Sequence, residues 1–402
     1  MNGAHRPLVV GPYSEYRLYS NPSSPRGHRA MEPTTTTPGE GEYAIRPFAA
    51  GDGERFRDLY QTVWGHERSA EWFDWRFRQN PAADGVRMTL AERGRTVVGA
   101  EAAVPYRLGV GGETVRALQP VDWIVHPDHR GSGLATRMTE ARIARDGDAE
   151  LYFNFPTPAL RPLLEKFGWR TVARPTTYYR VQDPAAIAAR RGDGRAARLA
   201  GRLCAPLVTG YLDYRDRHVT PPDDIAVERL DGVPTATLAA LYQQAVPERI
   251  HVRRTEAFLD WRFSNPNWNC RTYLARRDGR LVGSLVTCTD TITGMTTTRL
   301  ADALPLVGGS DDAFAALVSA VVTDTPAAAV LTATADPIPD AVLSSCGFVA
   351  DDTVTLSRLV SRTTHVARPV PSTESEEDWR LGGTAIDDGE NWLLSLSDQD
   401  IA

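Results

Sequence analysis

The fold of this chain is decided by the stretch Val-His-Pro-Asp-His-Arg-Gly-Ser-Gly-Leu-Ala at residues 125–135. An apolar run at residues 121–125 leads into it and predicts a β-strand, whereas helix-forming sequence follows it. This order predicts an anion site, because the first N–H groups of a helix lack intrahelical partners and the helix dipole favours negative charge there. Gly131 and Gly133 would leave the backbone open to a phosphate, and Arg130 adds a positive charge.

The positions of the glycines exclude two common phosphate-binding motifs. The Walker loop requires Lys-Ser/Thr where this chain has Leu134-Ala135, and the dinucleotide fingerprint GxGxxG meets GSGLAT at residues 131–136. The stretch instead resembles the Arg-x-x-Gly-x-Gly/Ala loop of the GNAT superfamily of N-acetyltransferases, with Arg130, Gly133 and Ala135 at the fixed positions. The resemblance implies a loop that binds the pyrophosphate of acetyl-CoA. The alternative is an ordinary tight strand–helix turn.

The resemblance also implies where the rest of acetyl-CoA lies. In the family it follows the strand before the loop, and that strand splays from its parallel neighbour. Here the two strands would be residues 118–125 and 150–155. The implied cofactor-binding residues are Ile124, Val125, Arg130, Gly131, Ser132, Gly133, Leu134, Ala135 and Asn154.

Composition excludes several classes of protein. The chain has 402 residues, enough for two or three domains, and its net charge of −6 leaves no basic surplus for nucleic acid. No apolar run reaches the ~18 residues of a membrane span, and the first 30 residues hold no signal-peptide segment, so we predict a cytoplasmic protein without a membrane partner. Four widely spaced cysteines predict reduced thiols. His126 and His129 flank the loop without a third ligand, so we expect no metal.

An internal repeat organises the chain. Residues 69–77 and 255–263 both end in Asp-Trp-Arg-Phe, and a β-hairpin follows each, turning at Gly94 and at Gly279. The aromatic residues of the two motifs are interpreted as core, with substrate stacking as the alternative. Each half later ends in a strand, at residues 176–179 and 353–356 by the sequence pattern; the two are taken as counterparts. The order of elements predicts an α+β fold with mostly antiparallel sheets and resembles two tandem GNAT domains.

The second copy differs where chemistry matters. Its loop, residues 307–312, has no arginine and carries Asp311 and Asp312, which would repel a pyrophosphate. We therefore predict that it binds no cofactor and walls the acceptor cleft. The predicted organisation is a disordered segment at 1–41 (with translation starting at Met31 as a hypothesis), a GNAT domain at 42–183, a helical connector at 184–222, a degenerate GNAT-like domain at 223–361 and a tail at 362–402.

A carboxylate is the best candidate for the general base, because a protonated amine cannot attack a thioester. Asp122 lies in the apolar strand close to where the thioester should be. A structural role is the alternative, since Asp302 occupies the matching place in the second copy. Glu101, on the preceding hairpin strand, is the other candidate base.

The general acid is harder to find. Many relatives carry a tyrosine four residues before the glycine of a Gly-Phe pair, and this chain has Leu164 there, before Gly168. Either the thiolate leaves unassisted, or Tyr179 or Tyr152 takes the role.

The resulting hypothesis is an enzyme that transfers an acetyl group from acetyl-CoA to a primary amine of a small polar acceptor. The end of the chain, from Trp392 to Asp400, resembles the closing segment of large GNAT proteins encoded among polysaccharide-biosynthesis genes, which favours an amino sugar or a similar metabolite. The alternation after Trp392 predicts a strand or an extended clamp that folds back on the body. Two alternatives stay open: an acyl-CoA-binding regulatory or scaffold protein without turnover, and transfer of aminoacyl or longer acyl groups. A homo-oligomer is compatible with the sequence.

Overall fold

The computed structural model describes residues 42–190, 195–218, 222–292, 294–354, 356–357, 360–370 and 372–400. The predictions for residues 1–41, including the start at Met31, lie outside these ranges. The strands are β1 Tyr43–Pro47, β2 Met88–Arg93, β3 Thr96–Val110, β4 Glu113–Val125, β5 Leu151–Asn154, β6 Arg170–Ala173, β7 Thr177–Val181, β8 Ile225–Asp231, β9 His251–Val252, β10 Asn269–Arg277, β11 Arg280–Ile292, β12 Met295–Leu304, β13 Val330–Thr334, β14 Val349–Ala350, β15 His365–Pro369, β16 Arg380–Leu381 and β17 Thr384–Ala385. The helices are α1 Asp52–Trp64, α2 Ala70–Phe77, α3 Leu134–Ile143, α4 Arg161–Lys166, α5 Pro184–Arg190, α6 Arg195–His218, α7 Thr235–Gln244, α8 Glu256–Phe263, α9 Asp311–Asp324 and α10 Asp340–Ser345.

Two mixed sheets flanked by helices form the molecule, as the α+β prediction required. The first sheet has the order β1-β2-β3-β4-β5-β15-β6, with β9 paired to β3, and the second has the order β14-β7-β13-β12-β11-β10-β8. In each sheet one pair is parallel, β4 with β5 and β12 with β13. Apolar side chains of α1 and α2 pack on one face of the first sheet, and those of α3 and α4 lie in separate clusters with strand residues.

The two halves of the chain exchange their last strands. β7 follows the first half in sequence but lies in the second sheet, between β13 and β14. β15 follows the second half but lies in the first sheet, between β5 and β6. Each sheet is therefore completed by a strand from the other half, and backbone hydrogen bonds join the halves in both directions.

The exchange corrects one prediction. Residues 177–179 of the predicted stretch do lie in a strand, β7, although it belongs to the second sheet. The predicted counterpart at residues 353–356 is wrong: the described residues there form a turn, and the strand that matches β7 by position in a sheet is β15. The reason is that several residues of turn separate β14 from β15, so the chain has room to cross to the other sheet.

The paired Trp-Arg-Phe motifs meet at the contact between the halves. The indole N–H of Trp75 donates to the carbonyl of Trp261 at 2.6 Å, and the indole N–H of Trp261 donates to the carbonyl of Trp75 at 2.7 Å. The two rings stack with centroids 5.9 Å apart, and both side chains are buried. The core interpretation of these aromatics is confirmed, and the reciprocal bonds give the contact a local two-fold character.

A helical connector joins the halves, as predicted. It comprises α5 and α6, and α6 ends at His218, inside the predicted range of 184–222. Arg180 pairs with Asp216 at 2.8 Å and fixes the end of α6 to the second sheet. Within the described residues, none of the helices combines the length and the apolar character that a bilayer span requires.

Two of the four cysteines are paired. Cys270 on β10 and Cys288 on β11 are directly opposite in the antiparallel register and form a disulfide. The prediction of reduced thiols throughout is therefore wrong for this pair, because the hairpin that turns at Gly279 brings the two positions together. Cys204 is free and exposed, and Cys346 is free and buried.

Candidate active site

The glycine-rich loop has the geometry of an open anion site. β4 ends at Val125, a single 3-10 turn follows, and α3 begins at Leu134 with Gly133 as its N-cap. Gly131 and Gly133 have φ of 75° and 77°, a region that disfavours other residues. A Cβ added at either glycine would meet no atom of the described residues within 4 Å, so the space beside the backbone is open.

Side chains of the loop brace its shape. The Arg130 Nε atom donates to the carbonyl of Val125 at 3.1 Å, and the Ser132 hydroxyl donates to the carbonyl of His129 at 2.6 Å. His129 is also hydrogen-bonded to the Tyr43 hydroxyl at 3.0 Å. The loop is thus tied to β4 and to β1 while the first turn of α3 remains without a side-chain cap. Its N–H groups, the positive end of the dipole and Arg130 can together hold a diphosphate.

β4 and β5 separate in front of the loop. The two strands pair only through Ala117 with Leu151 and Leu118 with Tyr152, although β4 continues to Val125 and β5 to Asn154. The Asn154 amide bridges the start of the gap by donating to the carbonyl of Pro120 at 3.0 Å. Beyond this point the facing backbone groups of the strands are not joined by ladder bonds, which is the arrangement that a ligand chain with amide groups can use.

A β-bulge places Asp122 beyond the point of separation. The register between β3 and β4 shifts so that Asp122 and Trp123 together stand opposite Glu101. Asp122 has φ of 48°, in the left-handed region. Bulges change the direction of side chains and occur next to active sites. Asp122 is a buried carboxylate on the splayed part of β4.

Arg76 holds Asp122 and a second carboxylate. Its Nε atom donates to Asp122 Oδ2 at 2.8 Å, and its Nη2 atom donates to Asp400 Oδ1 at 2.5 Å. Burial raises the pKa of Asp122, the Arg76 guanidinium lowers that pKa, and the Asp400 carboxylate raises it again. The pKa of Arg76 is raised by the two carboxylates despite its burial, so it stays charged. The Arg68 guanidinium also lowers the pKa of Asp122, so a second arginine acts on this carboxylate.

Asp400 belongs to the tail, defined here as residues 392–400, which lies between the two halves. Arg262 donates to the carbonyls of Ser397 and Gln399 at 2.7 and 2.8 Å, and the Gln119 amide donates to the carbonyl of Asp398 at 3.1 Å. The predicted fold-back of the tail on the body is confirmed. Its form is an isolated bridge at Trp392 and short 3-10 turns rather than a strand.

Sequence reasoning missed Asp400 and the link from Arg76 to Asp122. The signal was present in the alternating Asp residues at the chain end, but Arg76 and Asp400 are separated by 324 positions. Nothing in a single sequence links positions so far apart.

Glu101, opposite Asp122 and Trp123 in the register, binds α3 through its side chain. Its carboxylate accepts from Arg142 Nε at 2.6 Å and from the Thr139 hydroxyl at 2.9 Å, and its side chain is fully buried. Burial raises the pKa of Glu101, and the Arg142 guanidinium lowers it. Because Thr139 and Arg142 lie on α3, Glu101 fixes the helix whose N-terminus forms the loop site.

The two tyrosines considered as acids lie elsewhere. Tyr179 is on β7 in the second sheet, buried with Val330 and Met295. Tyr152 on β5 is buried, and its hydroxyl donates to Asp146 Oδ2 at 2.9 Å. Burial raises the pKa of both phenols. Leu164 on α4 is buried in a cluster with Tyr152. The structure does not bring Tyr179 together with Asp122.

The second half has a comparable strand but a different loop. The register of β11 with β12 shifts before Asp302, which pairs with Arg254 at 2.7 Å. A Cβ on Gly309 would overlap the ring of Phe314, so this loop is packed against its own helix. Arg254 also binds Asp398 at 2.8 Å, and all three side chains are almost completely buried. In this cluster the carboxylates of Asp302 and Asp398 are both paired with Arg254.

No group of three or more His, Cys, Asp or Glu side chains is arranged to hold a metal ion among the residues that the structure describes. His126 Nδ1 accepts from the backbone N–H of Asp128 at 3.2 Å, which makes this histidine part of the loop.

The fold thus combines an open glycine loop with two parallel strands that separate in front of it. Residues 44–172 match the family model described as an acetyltransferase (GNAT) domain. Residues 44–172 therefore form a GNAT acetyltransferase domain. Among curated proteins, no sequence matches the chain.

Solved structures share the fold. A GCN5-related N-acetyltransferase from Anabaena variabilis is similar with a TM-score of 0.55 at 13% identity, over 82% of this chain and 73% of that chain. One from Kribbella flavida gives a TM-score of 0.52 at 14% identity, over 82% and 71%. A probable N-acyltransferase of unknown function from Enterococcus faecalis gives 0.56 at 10% identity, over 82% and 72%. The likeness extends well beyond residues 44–172.

Proposed function

We propose that this enzyme transfers an acetyl group from acetyl-CoA to the primary amine of a small polar metabolite, with amino sugars among the acceptors. The observation that carries the proposal is the position of Asp122. It is a buried carboxylate at a bulge, on the splayed strand that leads directly into the open glycine loop. A donor-binding loop and a proton acceptor thus lie on one strand.

The loop would bind the donor through its diphosphate. Arg130 and the N–H groups at the start of α3 would contact the phosphate oxygens, and Glu101 holds α3 in place through Arg142. The backbone of Ile124, Val125 and residues 131–135 would line this path, and Asn154 would lie at the start of the gap. Acetyl-CoA, when bound, supplies the thioester carbonyl that the amine attacks.

Asp122 would take the proton from the incoming ammonium group. As an anion, the Asp122 carboxylate would attract a cationic amine. Arg76 orients the Asp122 carboxylate through the bond from Nε. We assign no general acid, because Tyr179 lies in the other sheet and the Tyr152 hydroxyl is bound to Asp146.

The second half would be a degenerate GNAT copy that shapes the acceptor side. Its Asp302 is already paired with a buried arginine, and its loop is packed against Phe314. We keep the domain limits 42–183 and 223–361 as a proposal, with the exchange of β7 and β15 across them. Longer acyl-CoA donors carry the same phosphates, so the loop would bind them as it binds acetyl-CoA.

A thiol-release assay tests the proposed function. Purified protein is mixed with acetyl-CoA and a panel of amino sugars and polyamines, and free coenzyme A is followed with a thiol reagent. We expect amine-dependent release that rises with amine concentration, and no comparable release with the matching alcohols. Binding of acetyl-CoA without release for any amine would support the acyl-CoA-binding scaffold instead. Turnover with longer acyl-CoA donors but not with acetyl-CoA would show that the enzyme transfers a longer acyl group.

Replacing Asp122 should separate chemistry from donor binding. For Asp122→Asn we expect kcat to fall by about 100- to 10,000-fold, because a positioned base contributes that much, while the Kd for acetyl-CoA changes little. Steady-state kinetics and calorimetry measure the two quantities. The matched control is Asp302→Asn, the counterpart in the second half. A kcat close to wild type in Asp122→Asn would remove Asp122 from the reaction.

The pH profile should depend on Asp400. The Asp400 carboxylate raises the pKa of Asp122, so Asp400→Asn should lower that pKa. Because the base then ionises at lower pH, the acidic limb of the kcat profile should move to lower pH. We expect a shift of up to about one unit. Asp278→Asn, on an exposed hairpin turn, is the control of equal charge change. A limb that stays in place or moves to higher pH would contradict the coupling.

A further inference from the structure

An apolar stripe runs along the outer face of α6. It is formed by Leu203, Leu207, Gly210 and Tyr214, which are spaced by four, three and four residues and so lie on one side of the helix. Leu207 is 76% exposed, and Leu203 and Tyr214 are also well exposed. The adjacent Tyr211 is exposed as well.

The other face of α6 is used by the molecule itself. Leu212 is buried there, and Arg215 donates to the carbonyls of Ser344 and Ser345. Asp216 is paired with Arg180 on β7. The helix is therefore fixed with its stripe pointing away from the body. Contiguous exposed apolar surface of this kind marks a site of protein association.

We propose that the stripe is the interface of a homodimer, in which α6 packs antiparallel against α6 of a second copy. The spacing is the same in both directions, so an antiparallel copy matches it: Leu203 faces Tyr214 of the second copy, and Leu207 faces Gly210 of the second copy. Gly210 leaves room for the leucine, and the spacing by four and three residues is that of helix pairs that interlock their side chains.

The charges beside the stripe favour the same arrangement. Arg202 and Asp213 are exposed on one flank of the helix. In an antiparallel pair Arg202 of one copy lies about 3 Å along the axis from Asp213 of the other, so two ion pairs form by symmetry. In a parallel two-fold pair the same flank of the two helices lies on opposite sides of the contact, so Arg202 and Asp213 would not meet and these ion pairs would not form. Burial of Leu203, Leu207 and Tyr214 of the stripe, together with the adjacent Tyr211, would remove on the order of 500 Å² per copy from water. The flanking residues bring the face toward the roughly 800 Å² per partner of a stable interface.

Sedimentation of the full chain over a concentration series tests the proposal. We expect a mass that approaches twice the 44.1 kDa of one chain. Leu203→Glu/Leu207→Glu should raise the dissociation constant by on the order of 100-fold or more, since two buried leucines per copy are lost and like charges are introduced. The matched control is Val354→Glu, because Val354 is 75% exposed but off the stripe, and it should leave the dimer intact. A wild-type chain that stays monomeric, or a stripe variant as dimeric as the control, overturns the proposal.

A charge exchange tests the direction of pairing. Arg202→Asp and Asp213→Arg alone should each weaken the dimer by about tenfold, and the double variant Arg202→Asp/Asp213→Arg should restore it. All four residues of the stripe remain in these variants, and the changed side chains are exposed, so folding is not at risk. Failure of the double variant to recover would overturn antiparallel pairing.

Native Cys204 provides a covalent readout. Tyr211→Cys should form an intermolecular disulfide with Cys204 of the second copy under mild oxidation, because the two positions face each other in the antiparallel pair. Wild-type Cys204 should not crosslink to itself, since the two copies of it lie about 13 Å apart along the axis. Equal crosslinking of the wild type and of Tyr211→Cys would contradict the antiparallel pairing of the two α6 helices.

Discussion

Arg130→Glu should abolish tight binding of acetyl-CoA, with Kd raised by on the order of 100-fold or more. The substitution removes a charge-assisted contact to a diphosphate and places a negative charge in the open loop, where the geometry of Gly131 and Gly133 brings ligand oxygens close to the backbone. Arg130 also braces the loop through the carbonyl of Val125. Arg130→Gln, which keeps a donor and loses only the charge, should therefore give an intermediate Kd.

Calorimetric titration of coenzyme A measures this effect, and Arg280→Glu is the control. Arg280 is exposed at the hairpin turn of the second half, so the same charge change occurs away from the loop. We expect wild-type affinity for the control. Equal losses in Arg130→Glu and Arg280→Glu would mean that overall charge, and not the loop, governs binding.

Residues 42–183 alone should fail to fold. This fragment lacks β15, so β6 loses its neighbour in the first sheet, and it retains β7 without the strands β13 and β14 that pair with it. Trp75 would also lose its stacking partner and its hydrogen bonds to Trp261. Such losses are large beside the roughly 5–15 kcal/mol that separate folded and unfolded domains.

The fragment should show little near-ultraviolet dichroism and no cooperative thermal transition. The matched control is residues 42–402, which starts at the same position and keeps both exchanged strands. Coexpression of residues 42–192 with residues 193–402 should restore a folded complex, since each piece then supplies its strand to the other. A monomeric, cooperatively unfolding 42–183 fragment would contradict the account of the exchange.

Local features of this fold follow from the sequence. The glycine loop, the two hairpins at Gly94 and Gly279 and the start of α3 depend on turn residues and on the periodicity of neighbouring positions, and the structure has all of them. The parallel strands that separate before the loop were expected from the family resemblance, and the register of β4 with β5 agrees.

Long-range features do not follow in the same way. β7 and β15 are short strands whose composition suits either sheet. Which sheet each one joins depends on which strand edges are unpaired in the folded molecule. The pairing of Arg76 with Asp400 joins the beginning of the chain to its end. By contrast, the Cys270–Cys288 disulfide could be predicted from the sequence. Both cysteines are equally distant from Gly279, and the hairpin register places them opposite each other.

The placement of Glu101 shows why a buried carboxylate alone is weak evidence for catalysis. Its neighbours on α3, Thr139 and Arg142, occupy its oxygens, and no periodicity in the sequence reveals that pairing. Asp122 differs because β4 is no longer paired with β5 where Asp122 lies. This separation is visible only in the strand register and not in the sequence.

The central claim is that the acyl donor binds at one helix N-terminus, that of α3, where Gly131 and Gly133 leave the backbone open. Titration of acetyl-CoA into the intact wild-type chain tests it most directly, with the stoichiometry as the readout. We predict one molecule bound per chain, with binding lost in Arg130→Glu. No uptake of acetyl-CoA, or two molecules per chain with the second retained in Arg130→Glu, would contradict the assignment of the site to the first half.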